Sequence, residues 1–246
     1  MKMIEAGGIT IYRYVMPGIE SNMYLTMQGE QALVVDPYRC EEAIRLMRER
    51  QIRDVMILLT HEHFDHISGV NLLRKEFSGE TSSVEVIATK AAAAYLPDPN
   101  KNMAKFWDIT LMDLPKERIE AGMALEEKEY SCTADKVFDD SMDIVWNGHD
   151  IHMQSAPGHS VGGALIFLDG ILFSGDNLVN GSGVICRMPG GSWKAYCEKT
   201  RPVLERLADD TWILPGHGVP DSFARLKKYM QKFGHVRDEE MTEGSK

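Results

Sequence analysis

Val55-Met56-Ile57-Leu58-Leu59-Thr60-His61-Glu62-His63-Phe64-Asp65-His66 sets an apolar run directly against three imidazoles and acidic side chains. The run reads as a buried strand. Polar groups crowded at the end of such a strand are costly to bury unless something pairs them, and a metal ion does that best. Residues two apart on extended backbone point the same way, so His61 and His63 can reach one ion from one side. Asp65 and His66, where the chain turns toward a helix, face a second ion nearby. The zincin pattern H-E-x-x-H is not met, because its fifth position here is Asp65.

Outward from this stretch the chain reads as two halves of similar grammar. In the first, Met23–Met27 and Ala32–Val35 flank a Gln28-Gly29-Glu30 turn, and residues 41–50 carry apolar Ala43, Ile44, Leu46 and Met47 at helical spacing. A helix with Val70, Leu72, Leu73 and Phe77 on one face follows the decisive strand, and then a strand over residues 84–88. In the second half, Asn147-Gly148 and Asp169-Gly170 mark tight primed hairpin turns. A helix near Trp193–Leu207 capped by Ser192, a strand over 211–214 and a helix near Ser222–Phe233 follow, and residues 237–246 form a polar, frayed tail. Residues 97–140 between the halves are expected to be a helical insertion with a charged helix over Lys116–Tyr130. It acts as a lid, a dimer contact or a packed surface.

The 246 residues are enough for one large domain, and the expectation is a single domain over 1–246. A formal net charge of −10 argues against a nucleic-acid partner. The beginning of the chain has no apolar segment of the secretory kind and no later run is long enough to span a bilayer. A cytoplasmic protein without membrane attachment is therefore expected, and a homodimer is left open. Cys40, Cys132, Cys186 and Cys197 are scattered and read as free thiols.

Further candidate ligands recur in turns that follow apolar strands: His159 in Pro157-Gly158-His159-Ser160, Asp176 in Ser174-Gly175-Asp176-Asn177, and His217 in Pro215-Gly216-His217-Gly218. Five of the eight histidines fall in such contexts, which separate surface roles for each would not explain.

In that order, His61-x-His63-x-Asp65-His66, His159, Asp176 and His217 resemble the metallo-β-lactamase superfamily over roughly residues 10–220. Val34-Val35-Asp36-Pro37 matches the family's early aspartate motif. The resemblance implies an α/β fold, a four-layer αββα sandwich of two mixed β-sheets flanked by helices, with metal bound at one edge between the sheets. It assigns His61, His63 and His159 to one metal, and Asp65, His66 and His217 to a second. Asp176 bridges the two, and Asp36 buttresses a ligand histidine. The implied cofactors are two divalent ions, with zinc expected and iron or manganese as alternatives. Such ions, typically about 3.5–4 Å apart, hold a bridging water and bring its pKa toward ~7, which makes a hydroxide nucleophile. Asp65 and Asp176 are then the catalytic carboxylates.

Aspartate at 176, in place of the usual Cys or Ser of β-lactamases, is similar to glyoxalase II, lactonases, thioesterases and phosphodiesterases. Leu96-Pro97-Asp98-Pro99-Asn100 ahead of Ala134-Asp135 also resembles glyoxalase II-type proteins. Only about one helix follows His217, so a branch without the full glyoxalase II C-terminal region is expected. The expected function is hydrolysis of a small ester, thioester or lactone. An iron-dependent persulfide dioxygenase, a phosphodiesterase and a non-catalytic metal-binding sensor are the competing readings. The substrate is a small molecule, and Arg187 is its candidate anion contact.

Overall fold

The computed structural model describes residues 1–6 and 8–231. The expected tail and the end of the last expected helix lie outside these residues. Seven strands form a first sheet in chain order: β1 (Lys2–Ala6), β2 (Ile9–Val15), β3 (Asn22–Gln28), β4 (Gln31–Val35), β5 (Asp54–Leu58), β6 (Ser83–Thr89) and β7 (Lys136–Phe138). Pairing is antiparallel from β1 to β4 and parallel from β4 to β7.

The second sheet has six strands: β8 (Ser141–Trp146), β9 (His149–Ser155), β10 (Ala164–Leu168), β11 (Ile171–Gly175), β12 (Trp212–Pro215) and β13 (Asp221–Ser222). They run in the order β13-β12-β11-β10-β9-β8, and only β11 and β12 pair in parallel. Both hairpin turns read from the sequence have positive φ at their two central residues, Asn147 (49°) with Gly148 (82°) and Asp169 (46°) with Gly170 (78°).

Side-chain alternation along the strands builds the layers. From β4, Leu33 and Val35 point into a core shared with Ile166, Phe173 and Leu214 of the second sheet. Its Ala32 and Val34 point the other way, onto Ile44 and Met47 of helix α1 (Glu41–Glu49). In β11, Ile171 and Phe173 face the shared core, whereas Leu172 meets Tyr196, Leu204 and Leu226 on the far side. The result is the expected αββα sandwich. Strands buried on both faces read as unbroken apolar runs, which is why Val55–Thr60 stood out.

That strand ends at Leu58 rather than Thr60. The Leu59 N–H still bonds the Ile87 carbonyl, but the Thr60 N–H is taken by the Asp36 carboxylate. A one-turn helix α2 (Phe64–Ile67) and then α3 (Val70–Phe77) follow, and α4 (Lys90–Ala93) comes after β6.

The region 97–140 departs from a purely helical insertion. It contains a 3₁₀ turn (Ala104–Phe106), α5 (Trp107–Leu111) and α6 (Lys116–Met123), but it ends in β7, which joins the first sheet. The charged helix expected to reach Tyr130 stops at Met123. Extended further, it would carry Glu126, Glu127 and Glu129 against the negative end of its own dipole. Tyr130 instead points its hydroxyl at the Ile67 carbonyl, 2.6 Å away.

The helix expected over 193–207 is helical from Trp193 to Leu204, as α7 (Trp193–Ala195), a π turn (Tyr196–Thr200) and α8 (Arg201–Leu204). Pro202 lacks an N–H and crowds the carbonyl four residues back, so the preceding turn widens. Ser192 caps it as expected, accepting from the Ala195 N–H at 3.2 Å. The last helix is short, α9 (Phe223–Leu226) followed by a 3₁₀ turn. All four cysteines are free. No helix among the described residues is long and apolar enough to cross a membrane.

Candidate metal centre

Every sequence-predicted ligand sits where a strand gives way to a loop at one end of the two sheets. His61, His63, Asp65 and His66 follow β5, Asp36 follows β4, Asp176 follows β11, His217 follows β12, and His159 lies between β9 and β10. His63 has extended backbone (φ −68°, ψ 146°) and opens α2, so the chain delivers two imidazoles before it turns to supply Asp65 and His66.

Two groups of three side chains converge. Ligand atoms of His61, His63 and His159 lie within 4.8 Å of one another, and so do those of Asp65, His66 and His217. In the first group, His159 Nε2 is 3.0 Å from His63 Nδ1. In the second, Asp65 Oδ2 is 3.1 Å from His66 Nε2 and 3.3 Å from His217 Nε2. Asp176 lies between them. Its Oδ2 is 3.4 Å from both His159 Nε2 and His217 Nε2, and its Oδ1 is 3.6 Å from His66 Nε2. A third grouping, Asp36 with His61 and His66, meets the same distance test. Both Asp36 oxygens are already engaged, however, which makes Asp36 a support rather than a ligand. Its Oδ1 accepts from the Thr60 N–H (2.7 Å), and its Oδ2 lies 2.5 Å from Thr60 Oγ1 and 3.0 Å from His66 Nδ1.

Several of these atoms are buried without a hydrogen-bond partner among the described residues: His61 Nε2, His63 Nε2, His66 Nε2 and Asp176 Oδ1. Orphaned donors and acceptors are expensive, and most of these face one small space, which is what a bound cation repays. The electrostatics suit it. Burial, reinforced by neighbouring imidazoles, drives His61 well below its ordinary pKa, and burial beside His159 pushes His63 down to about 3. Burial lowers His159 as well. Neutral imidazoles are the form that ligates. In the other triad burial also tends to lower His66 and His217, but Asp65 and Asp176 outweigh it and raise both, so a cation bound there would displace protons. Burial tends to raise Asp65 and Asp176, but the surrounding histidines outweigh it and hold both carboxylates below the usual range, hence ionised.

Glycine makes the convergence geometrically feasible. A Cβ on Gly216 would stand 2.1 Å from Asp176 Oδ1 and 3.0 Å from His66 Cε1. Sequence reasoning missed the residues that hold the His217 loop. Asn22 Nδ2 donates to the carbonyls of Pro215 and Gly218, both at 2.8 Å, and Tyr24 Oη donates to Pro215 O at 2.7 Å. Arg13, itself buried, donates to Asn22 Oδ1 (2.8 Å) and Gly218 O (2.9 Å). Glu62 was also unassigned. It is fully buried and accepts from Ser160 Oγ at 3.1 Å, which ties the His61–His66 turn to the loop carrying His159, and burial pushes its carboxyl up to about 7. The only advance signal was a carboxylate inside an otherwise ligand-rich hexapeptide.

Asp36→Asn is expected to fold normally but to bind metal about 10–100-fold more weakly at the His66 side, as loss of a supporting carboxylate does. Metal titration of the purified variant checks this, and wild-type affinity would remove the buttressing role.

A cavity of about 630 Å³ opens over the ligands. Asp65, His159, Asp176 and His217 form its floor; Met103, Phe106, Trp107 and Ile109 from the 97–140 region form one wall. Ile185, Met188 and Pro189 face them, and Arg187 stands exposed at the rim with no hydrogen bond or ion pair among the described residues.

Comparison with known proteins agrees with this geometry. The family profile of the metallo-beta-lactamase superfamily matches residues 16–217, and the chain belongs to that superfamily. The hydroxyacylglutathione hydrolase of Tolumonas auensis is 27% identical over 207 residues, covering 82% of this chain but only 63% of that enzyme. A probable metallo-hydrolase of Streptococcus pyogenes is 23% identical, covering 88% of this chain and 87% of that protein. Among solved structures, the BLEG-1 B3 metallo-beta-lactamase superposes with a TM-score of 0.70 at 23% identity, covering 90% of this chain and all of that one.

Proposed function

We propose that the protein is a dinuclear metal-dependent hydrolase of a small ester, thioester or lactone. The observation that carries this reading is the position of Asp176, with one carboxylate oxygen 3.4 Å from a histidine of each triad. His61, His63 and His159 would hold one ion, Asp65, His66 and His217 the other, and Asp176 both. Divalent ions held there supply a water-derived nucleophile at neutral pH and polarise a carbonyl oxygen. The ligand set of nitrogen and carboxylate, without thiolate, suits zinc, with iron or manganese as alternatives.

The protein's own groups do the rest. Asp36 fixes the His66 ring through Nδ1, leaving Nε2 aimed at the site. The Ile185 carbonyl does the same for His159 through Nδ1 at 2.7 Å. Asp65, ionised and at the pocket floor, can orient the attacking water and take up its proton. The apolar walls lower the local polarity around these groups, which strengthens each of these interactions.

The test is metal analysis of protein purified from its host, combined with turnover on ester, thioester and lactone panels. Two equivalents of zinc with turnover support the reading. A single iron with oxygen uptake on a persulfide would replace it with the dioxygenase reading. Arg187→Ala is expected to raise KM for a carboxylate-bearing substrate about tenfold, in line with loss of a charge-assisted contact of roughly 1.5 kcal/mol, with little change in kcat. An unchanged KM would remove Arg187 from the substrate site.

A further inference from the structure

The cavity walls point past the reaction class to the kind of substrate. We infer that the pocket is built for a substrate whose scissile carbonyl carries a long apolar acyl group, seated between the 103–109 wall and the 185–189 loop. The inference rests on the hydrolase reading for its chemistry and on the cavity for its chemical class.

Three observations carry it. First, apart from the metal-facing residues, the polar side chains lining the cavity are Thr110, Ser182 and Arg187. Two of these are committed to backbone: Thr110 Oγ1 donates to Phe106 O (3.1 Å) and Ser182 Oγ to Gly183 O (3.0 Å). Glutathione, with two carboxylates, an ammonium and two amides, would find one uncommitted cation there. An alkyl or aryl group finds apolar side chains on both sides. Second, the volume of about 630 Å³ lies within the range, roughly 300–1,000 Å³, that encloses most of a small organic ligand. The floor is formed by the ligand residues themselves, so a group lying along the walls stays attached to a carbonyl at the centre.

Third, the wall is held in shape in advance. Met103 has φ of 70°, a left-handed conformation unfavourable for a side chain of its kind, at the head of the 3₁₀ turn. Buried Asn102 enforces it, with Nδ2 donating to the carbonyls of Leu96 and Tyr130 and Oδ1 accepting from the Ala104 N–H, all at 3.0 Å. The Asn102 carbonyl in turn accepts from the Phe64 N–H at 2.7 Å, fixing the wall to the ligand-bearing turn. Trp107, buried behind, donates from Nε1 to the Gly122 carbonyl at 2.9 Å. A preformed apolar wall spares an apolar ligand the cost of ordering it.

Two measurements on the metal-loaded protein test the inference. One is binding of the straight-chain carboxylates acetate, butanoate, hexanoate and octanoate by calorimetry, with quenching of tryptophan fluorescence as a second readout. The other is kcat/KM for acyl esters of one alcohol across the same lengths. Affinity and kcat/KM are both expected to rise with length, by up to about fourfold per methylene. Ile109→Ser, on an exposed part of the wall where folding is not at stake, is expected to lower the octanoyl-to-acetyl ratio several-fold. A flat or falling length dependence of binding overturns the inference, as does an unchanged ratio in Ile109→Ser. Binding that rises with length while no ester is cleaved supports the apolar pocket and sinks the hydrolase reading instead.

Discussion

Asp176→Ala is expected to lose bound metal and activity together, with kcat/KM falling by at least on the order of 10³-fold, as removal of several kcal/mol of metal-centred stabilisation implies. The carboxylate lies within 3.6 Å of His66, His159 and His217, so one substitution removes a charge shared by both triads. It also leaves the buried imidazoles facing one another with less negative charge between them. The fold should survive, because the sheets and their shared core do not depend on this side chain. Metal content by mass spectrometry, beside circular dichroism, separates the two effects. Wild-type metal occupancy in the variant would contradict the bridging role. His149→Ala serves as the control: this histidine bonds Asp169 at a hairpin and is expected to leave metal stoichiometry unchanged.

Gly216→Ala tests the same centre by a single methyl group. The added carbon would arrive 2.1 Å from Asp176 Oδ1 and 2.9 Å from the Gly175 carbonyl carbon. Backbone carbon cannot yield as a flexible side chain can, and Gly216 is pinned further, its N–H on Gly175 O at 2.8 Å and its carbonyl accepting from the Asn22 N–H at 2.7 Å. The carboxylate must therefore move. Activity is expected to fall at least about 10²-fold, since displacement of about 1 Å in a reacting constellation costs that much, with metal affinity reduced in parallel. A fully active, fully metallated variant would show that Asp176 can ligate from another rotamer and that the glycine is not required.

The parts of this fold legible in advance were those with local physical signatures. Asn147-Gly148 and Asp169-Gly170 announce their turns because few residues tolerate paired positive φ. β5 and its hexapeptide stand out because parallel strands are apolar throughout and the ligands follow immediately. β1 was not foreseen: it lies at the sheet edge, and its exposed, half-buried pattern gives no strong period. β7 was read into an insertion because three residues against β6 carry too little pattern. The candidate ligands could be named because each follows a strand and has metal-binding chemistry. Arg13, Asn22 and Tyr24 could not, because they act on carbonyls about 190 or more positions away and no local spacing encodes that. The wall of the cavity was legible as one of three alternatives for residues 97–140, and Met103, Phe106 and Ile109 do line it; apolar spacing alone does not separate a wall from a packed surface or a dimer contact.

Asn102 gives the molecule a modular joint. One buried amide fastens both ends of residues 96–130 to each other, and its backbone carbonyl fastens them to the ligand-bearing turn. Between those fixed points Trp107 and Leu111 are buried, with Trp107 against Phe64, whereas Ile109 and Met112 are exposed and can change without disturbing the packing beneath. The segment is thus part anchor and part variable surface: substitutions at its exposed positions that keep Asn102, Trp107 and Tyr130 should reshape the cavity wall while leaving the candidate metal centre assembled.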